Sequence, residues 1–431
     1  MEFSKLFHLA KRNYGVNALA LTAFCSFYAP SLHAQDTNDD IVLAPFEKVD
    51  INIFGDLRLR YHSLTQDNLP DNSDAFTVRL KSGIEFEFSD ILTALIEVEA
   101  SESLNDNFDN TLNNEINRPT IPDVNTVELN RFQLQSEISK VRVTLGRQEL
   151  ALDNWRFLGN WQFRQNDQTL DALRLEAPLA GGRFNAAYFN AVQRHFGQDS
   201  PVGEFTGDSY ILNYNRPLLL GQLSLFHYAL DLQTGPDDAV TDTFSTVTSG
   251  ARLHGRQHWG DYGLAWDFSL ARQSDFADNP NDFDALYGEV SLSLQYKNIE
   301  VSGSLEHLGQ NNGTSVQTPL ASLHDFQGVT DRFFVTPPDG LRDFNAGLTY
   351  DLGDWGKLEH IELKAGYHKF TSDAARRDYG REINLGLSAK IDHVTFFFQY
   401  GDYNSLALET DVGLFANDAR ALLFSTSYSF D

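Results

Sequence analysis

The chain has 431 residues, with 33 Lys and Arg against 60 Asp and Glu and a formal net charge of −27. So acidic a balance excludes a nucleic-acid binder, which needs a cationic footprint. A single Cys (Cys25) excludes a disulfide scaffold, a zinc site of the CxxC kind and a thiolate-held cluster, while 33 Phe, 16 Tyr and 30 Gly against 13 Pro suit an extended β protein.

Residues 1–34 read as a leader rather than as part of the fold. Lys5, Lys11 and Arg12 form a basic start, and an apolar run follows from Val16 to Tyr28. Ala29-Pro30-Ser31-Leu32-His33-Ala34 then supplies a small residue for cleavage after Ala34. The apolar run falls short of the roughly 20 residues that span a bilayer. Phe24 before Cys25 argues against lipidation. A cleaved signal peptide for the Sec pathway is therefore expected, then a short periplasmic segment at 35–48 and one domain at 49–431. No later stretch suits a transmembrane helix, so an exported chain of this kind is periplasmic, secreted or a membrane-spanning barrel.

From residue 49 the hydrophobic period is two, the signature of a strand. Ile51, Ile53, Gly55, Leu57, Leu59 and Tyr61 share one face, against Asn52, Phe54, Asp56, Arg58, Arg60 and His62. Phe76, Val78, Leu80, Ile84 and Phe86 stand against Thr77, Arg79, Lys81, Glu85 and Glu87. The pattern recurs at 262–271, 286–296 and 361–368, and ends with Leu422, Phe424, Thr426, Tyr428 and Phe430. About 18 strands are expected, starting near 49, 76, 91, 126, 140, 168, 183, 208, 222, 245, 262, 286, 299, 341, 360, 382, 394 and 419. The segments 126–135, 208–216 and 245–254 alternate most weakly, so 16 strands are the alternative count.

A soluble sandwich alternates too, but three features favour a membrane barrel. The strands run to about ten residues or more, where globular strands average five or six. Their polar faces carry charge, Gln, Ser and Gly, and their apolar faces end in Tyr, Phe or Trp, as an interfacial girdle does. The connections alternate between long (102–125, 147–167, 309–340) and short (Ser89-Asp90, Lys297-Asn298, Asp392-His393). The fold class expected is all-β: a single antiparallel up-and-down outer-membrane barrel with long extracellular loops and short periplasmic turns.

Charges on the inward phase, Arg58, Arg60, Arg79, Lys81 and Arg142 against Asp56, Glu85 and Glu87, fit a mixed lumen. The third long loop reverses the local charge. It opens Gly146-Arg147-Gln148-Glu149, continues Asp153-Asn154-Trp155-Arg156-Phe157-Leu158-Gly159-Asn160, and closes Arg164-Gln165-Asn166-Asp167-Gln168-Thr169-Leu170-Asp171-Ala172-Leu173-Arg174. Guanidinium forks suit carboxylates, so the loop either pairs with its own acids or folds inward and presents Arg to an anionic solute. In the seventh long loop, Phe333 and Phe334 are too apolar for a solvated tip, and Pro337-Pro338-Asp339-Gly340 is a turn.

These two segments, the second running Leu323-His324-Asp325-Phe326 to Thr336-Pro337-Pro338-Asp339-Gly340-Leu341-Arg342-Asp343, resemble the signatures of alginate-export-domain outer-membrane proteins. The resemblance implies a monomeric 18-stranded barrel with an Arg-lined pore for a polyuronate, served on export by periplasmic proteins. The positions matching the family's are Arg147, Asp153, Arg156, Asn160, Arg164, Asn166, Gln168, Asp171 and Arg174.

The expected function is thus a channel for an anionic solute, most simply alginate or another uronate-containing poly- or oligosaccharide. A general small-molecule uptake porin is the alternative, and a surface structural or adhesin barrel the second. Catalysis is not expected, because GxSxG, HExxH and Gly-rich phosphate loops are all missing from the sequence. The acids Asp106, Asp109, Glu115 and Asp123, and Asp275, Asp278, Asp282 and Asp284, read as a solvated outer rim. They are a candidate calcium site without EF-hand spacing, and no other cofactor or metal is expected.

Overall fold

The computed structural model describes residues 49–233, 243–374, 377–408 and 410–430; the expected leader and the segment 35–48 lie outside them. In chain order the strands are β1 (Asp50–Gln66), β2 (Ser73–Ser89), β3 (Leu92–Ser103), β4 (Thr126–Ile138), β5 (Val141–Gln148), β6 (Thr169–Leu179), β7 (Gly182–Gln193), β8 (Glu204–Leu218), β9 (Gly221–Leu230) and β10 (Thr246–Trp259). They continue as β11 (Tyr262–Asp275), β12 (Asp284–Tyr296), β13 (Ile299–Leu308), β14 (Gln310–Asn311), β15 (Thr314–Ser315), β16 (Leu341–Trp355), β17 (Leu358–Thr371), β18 (Asp378–Ile391), β19 (Val394–Ser405) and β20 (Ala419–Phe430). Among the described residues, β14 and β15 form a separate hairpin and the other eighteen form one antiparallel sheet. β1 pairs with β2 on one side and β20 on the other, so the sheet closes and leaves no edge.

The expected strand starts agree with the observed ones to within four residues. The weak segments at 126, 208 and 245 are all strands, which decides for eighteen over sixteen. Short turns suit the twist of their strands. Ser139 and Lys140 (φ 53° and 70°) join β4 to β5, and Ala180 and Gly181 (φ 46° and 79°) join β6 to β7. Positive φ at both central residues is the geometry of a two-residue hairpin turn.

The phase of each strand follows its apolar residues outward. Leu145, Leu270 and Leu294 are 58, 65 and 63% exposed. A water-soluble protein does not present so continuous an apolar wall, whereas a hydrocarbon layer solvates it. Trp259, Tyr262, Tyr296, Trp355 and Tyr428 cluster at the short-turn ends of their strands, with the Tyr262 and Tyr296 rings 4.9 Å apart. Tyr61, Tyr188 and Tyr210 stand further toward the loops. No helix of the described residues is long and apolar enough to cross a membrane; the strands do that work.

The loop-side half of the bore is packed. Leu150, Leu158, Phe189, Phe205, Tyr287, Leu320, Phe333 and Phe370 belong to one buried cluster built from inward wall residues and loop residues together. Phe333 is buried, as its apolarity requires, with its ring centroid 4.5 Å from that of Phe370 and 5.9 Å from that of Phe415. Phe334 packs edge-on to Trp161. Each such ring buried contributes about 1.5–3 kcal/mol.

β5 is only eight residues long, and its loop turns into the bore at once. Gly146 makes the bend possible: its φ is 114°, and a Cβ there would lie 2.2 Å from the Phe132 carbonyl oxygen. Gly146→Ala is expected to cost about 1–3 kcal/mol of barrel stability. Unfolding in urea, followed by loss of the compact form on a semi-native gel, would show it as a lower midpoint.

Candidate functional site

The loop 149–168 leaves β5 and sweeps round the inside of the barrel before returning at β6. Asp153 meets the far wall first, accepting from Asn213 Nδ2 on β8 at 2.8 Å and from the Tyr228 hydroxyl on β9 at 3.2 Å. Arg156, almost fully buried, pairs with Glu306 on β13 and donates to Thr318 Oγ1 at 2.9 Å. The loop then crosses to β1, where Arg58 donates to the carbonyls of Gln162 at 2.8 Å and Arg164 at 3.2 Å. Arg60 holds the Phe163 carbonyl and pairs with Asp123 at 3.2 Å.

The loop 309–340 packs on the first. Gly159 N–H donates to the Leu320 carbonyl at 2.8 Å, Ser322 N–H to the Trp155 carbonyl at 3.1 Å, and Gln168 Nε2 to the Leu320 carbonyl at 3.2 Å. Arg164 donates to Asp331 at 3.0 Å, and His324 shares that carboxylate at 2.9 Å. Burial alone would raise the Asp331 carboxyl, but His324 and Arg164 outweigh it and hold the group below the ordinary carboxylate range. Asn160, also buried, donates to Glu149 at 3.1 Å, and Asn166 reaches the Arg194 carbonyl at 3.4 Å.

Beneath the loops stands a basic wall on β1, β2 and β4. Arg58 lies directly opposite Arg79 in the ladder, an arrangement that is repulsive unless acid is supplied. Asp167, wholly buried, supplies it: its carboxylate bonds Lys81 and lies 3.4 Å from Arg79, while its N–H donates to Glu99 at 2.9 Å. Arg79 also pairs with Asp56. Arg131 on β4 completes the wall, held by Glu97 at 2.5 Å with its guanidinium 5.5 Å from the Phe54 ring centroid.

Other predicted residues lie elsewhere. Arg142 sits near the short-turn end and pairs with Glu137 at 2.8 Å, and Arg174, midway along β6, pairs with Glu176 at 3.1 Å. Arg147 and Asp171 pair with each other at 2.7 Å, and they share the phase of the exposed Val143, Leu145 and Leu173. They therefore face away from the bore and do not join the cluster.

Arg131 escaped sequence reasoning because alternation breaks beside it. The apolar spacing in β4 jumps from Leu129 to Phe132, and the β3–β4 register shifts at that point, so Asn130 is an extra residue and the phase of Arg131 inverts. That three-residue step was the available signal. Asp123 is a correction: it is buried against Arg60 and not part of a solvated rim. Among the described residues, no three His, Cys, Asp or Glu side chains stand together as a metal site requires.

Halfway round the ring from β1, on β9 to β12, a cavity of about 500 Å³ opens at the short-turn side. Gln222, His254, Arg256, Asp267, Ser291 and Ser293 line it. The bore thus has a basic wall on one side and a polar, hydroxyl-bearing wall on the other.

No family model matches the sequence, and no curated protein is similar to it in sequence. Solved structures are similar. OpdO of Pseudomonas aeruginosa superposes with a TM-score of 0.67 at 14% identity, over 88% of this chain and 97% of that one. OpdK of the same organism, solved with vanillate, gives 0.63 at 15%, over 88% and 98%. A BenF-like porin from Pseudomonas fluorescens Pf-5 gives 0.65 at 13%, over 88% and 99%. The fold is that of the outer-membrane porins.

These neighbours belong to the Occ/OprD substrate-specific porins, which overturns the resemblance to alginate-export proteins. The physical reason lies in the motif itself. Arg156, Arg164 and Gln168 tie the loop 149–168 to the wall and to the loop 309–340, and Asn160 and Asn166 tie it to Glu149 and the Arg194 carbonyl. Residues with that structural task carry no information about a polyuronate.

Proposed function

We propose that the chain is an outer-membrane diffusion channel for the uptake of small solutes, with a preference for compact carboxylates. The observation that carries this reading is the basic wall of Arg58, Lys81 and Arg131, whose side chains are partly exposed beneath the inward loops. Fixed cations in a narrow, partly desolvated bore lower the barrier for an anion, and their pairing with neighbouring acids keeps binding weak enough for release. The solved OpdK, with vanillate bound, offers a carboxylate of suitable size in a barrel of this kind. A polyuronate is disfavoured, because the hydrogen bonds between loops 149–168 and 309–340 and the cluster around Phe333 occupy the bore it would need. Its passive character leaves direction to the gradient, and the expected leader would take the chain to its membrane.

The test is a planar-bilayer recording in a salt gradient, with benzoate and uronate oligosaccharides as blockers. The reading expects a reversal potential on the anion side and block by benzoate, with oligosaccharides and neutral sugars ineffective. A cation-preferring channel indifferent to benzoate would overturn it, and a barrel with no conductance would favour a structural role.

A further inference from the structure

Glu149 stands out among the acids beside the basic wall because both cations near it already have partners. Its Oε1 lies 3.7 Å from Lys81 Nζ and 3.9 Å from Arg131 Nε, beyond hydrogen-bond reach. Lys81 spends its bond on Asp167, and Arg131 donates from Nε and Nη2 to Glu97 at 3.1 and 2.5 Å. The Glu149 side chain is 25% exposed, and among the described residues the one hydrogen bond to its carboxylate comes from Asn160 to the other oxygen, Oε2, at 3.1 Å. The backbone beside it is fixed, since Gln148 and Leu150 on either side are both buried. Only the side chain is free to move, and a loosely held exposed pair costs little to separate.

We infer that Glu149 is a tethered competitor at a carboxylate site between Lys81 and Arg131, where it holds the place that the carboxylate of a permeating solute takes. This rests on the reading of the chain as a channel for small carboxylates, and it adds a site and a control of affinity. With Glu149 in place the N–H groups that Lys81 and Arg131 do not spend on Asp167 and Glu97 face a third carboxylate, so an arriving carboxylate must displace it and is in turn displaced by it. The ring of Phe54, stacked on the Arg131 guanidinium, gives the site one apolar side. Rapid exchange follows from the tether: the competing acid never leaves the site's neighbourhood, so its effective concentration is high.

The experiment compares wild type with Glu149→Gln and Glu149→Ala in planar bilayers, using benzoate as the probe. Gln keeps an acceptor for Asn160, so this variant preserves the loop. Both variants should move the reversal potential toward anions and tighten benzoate block by about fivefold, the effect of freeing a weakly paired site. Block that is unchanged or weaker in both would overturn the role of Glu149, even in a channel that prefers anions. The reading of function fails separately, when wild type and variants alike prefer cations and ignore benzoate, and the inference then falls with it.

Discussion

Replacing Asp167 with Ala is expected to free the loop 149–168 from the barrel wall and raise single-channel conductance. Asp167 is the acid that lets Arg58, Arg79 and Lys81 stand side by side, and its side chain is wholly buried. Removing it takes the hydrogen-bonded acid from Lys81 and the shared acid from the Arg58–Arg79 pair, though Arg79 keeps Asp56, at a cost toward the lower end of about 3–5 kcal/mol. That penalty falls on the docked loop rather than on the sheet, whose ladder is intact without it. Gln162, Phe163 and Arg164 would lose their guanidinium partners as the wall cations turn to water. Conductance in bilayers and protease cleavage within 149–168 would both increase. An uncut loop with unchanged conductance would mean that Leu150 and Leu158 hold the loop by packing alone.

The same carboxylate sets the pH range of the clamp. Burial would raise the Asp167 carboxyl, but Lys81 and Arg79 outweigh burial and hold it below its ordinary value. A depressed carboxyl contributes stability that is fully present above its unfolded value of about 3.9 and is lost as pH falls through the folded one. The loop should therefore stay docked under acid conditions that already protonate exposed carboxylates.

Much of the barrel was legible because the outward phase is uniform. Leu57, Leu59, Leu292 and Leu294 must face hydrocarbon, so period-two patterning fixes strand, phase and, with alternating loop lengths, topology. Bulges are where that reading stops: Arg131 was lost to the extra residue at Asn130. The lumen was harder, for a different reason. Whether an inward Arg meets solute or a loop carbonyl depends on contacts between residues as far apart as Arg58 and Gln162. No local pattern encodes such a contact. The loop's charge reversal suggested that it folds inward, but most of its cations turned out to be ties: Arg156 to Glu306 and Arg164 to Asp331. Arg147 shows the limit of motif reasoning, since it belongs to the motif yet faces outward beside Asp171.

The second large effect is expected at Glu306, where three elements meet. One oxygen accepts from Arg156 and from the Tyr287 hydroxyl at 3.0 Å, and the other accepts from Gln327 Nε2 at 2.5 Å. Arg156 brings in the loop 149–168 and Gln327 the loop 309–340, so a single carboxylate on β13 fastens both loops to the wall. Glu306→Ala should cost about 3–5 kcal/mol, because the Arg156 guanidinium is left buried without its direct carboxylate partner. Both loops should become protease-sensitive together, since they also hold each other through Gly159 and Leu320. Replacing both partners, Arg156→Met with Glu306→Leu, leaves no charge unpaired and fills a similar volume, so it should recover most of the loss. Urea unfolding and limited proteolysis of the three proteins would separate the cases. A double variant as weak as Glu306→Ala would show that shape and hydrogen bonding at Tyr287 and Gln327, rather than the buried charge on Arg156, dominate this junction.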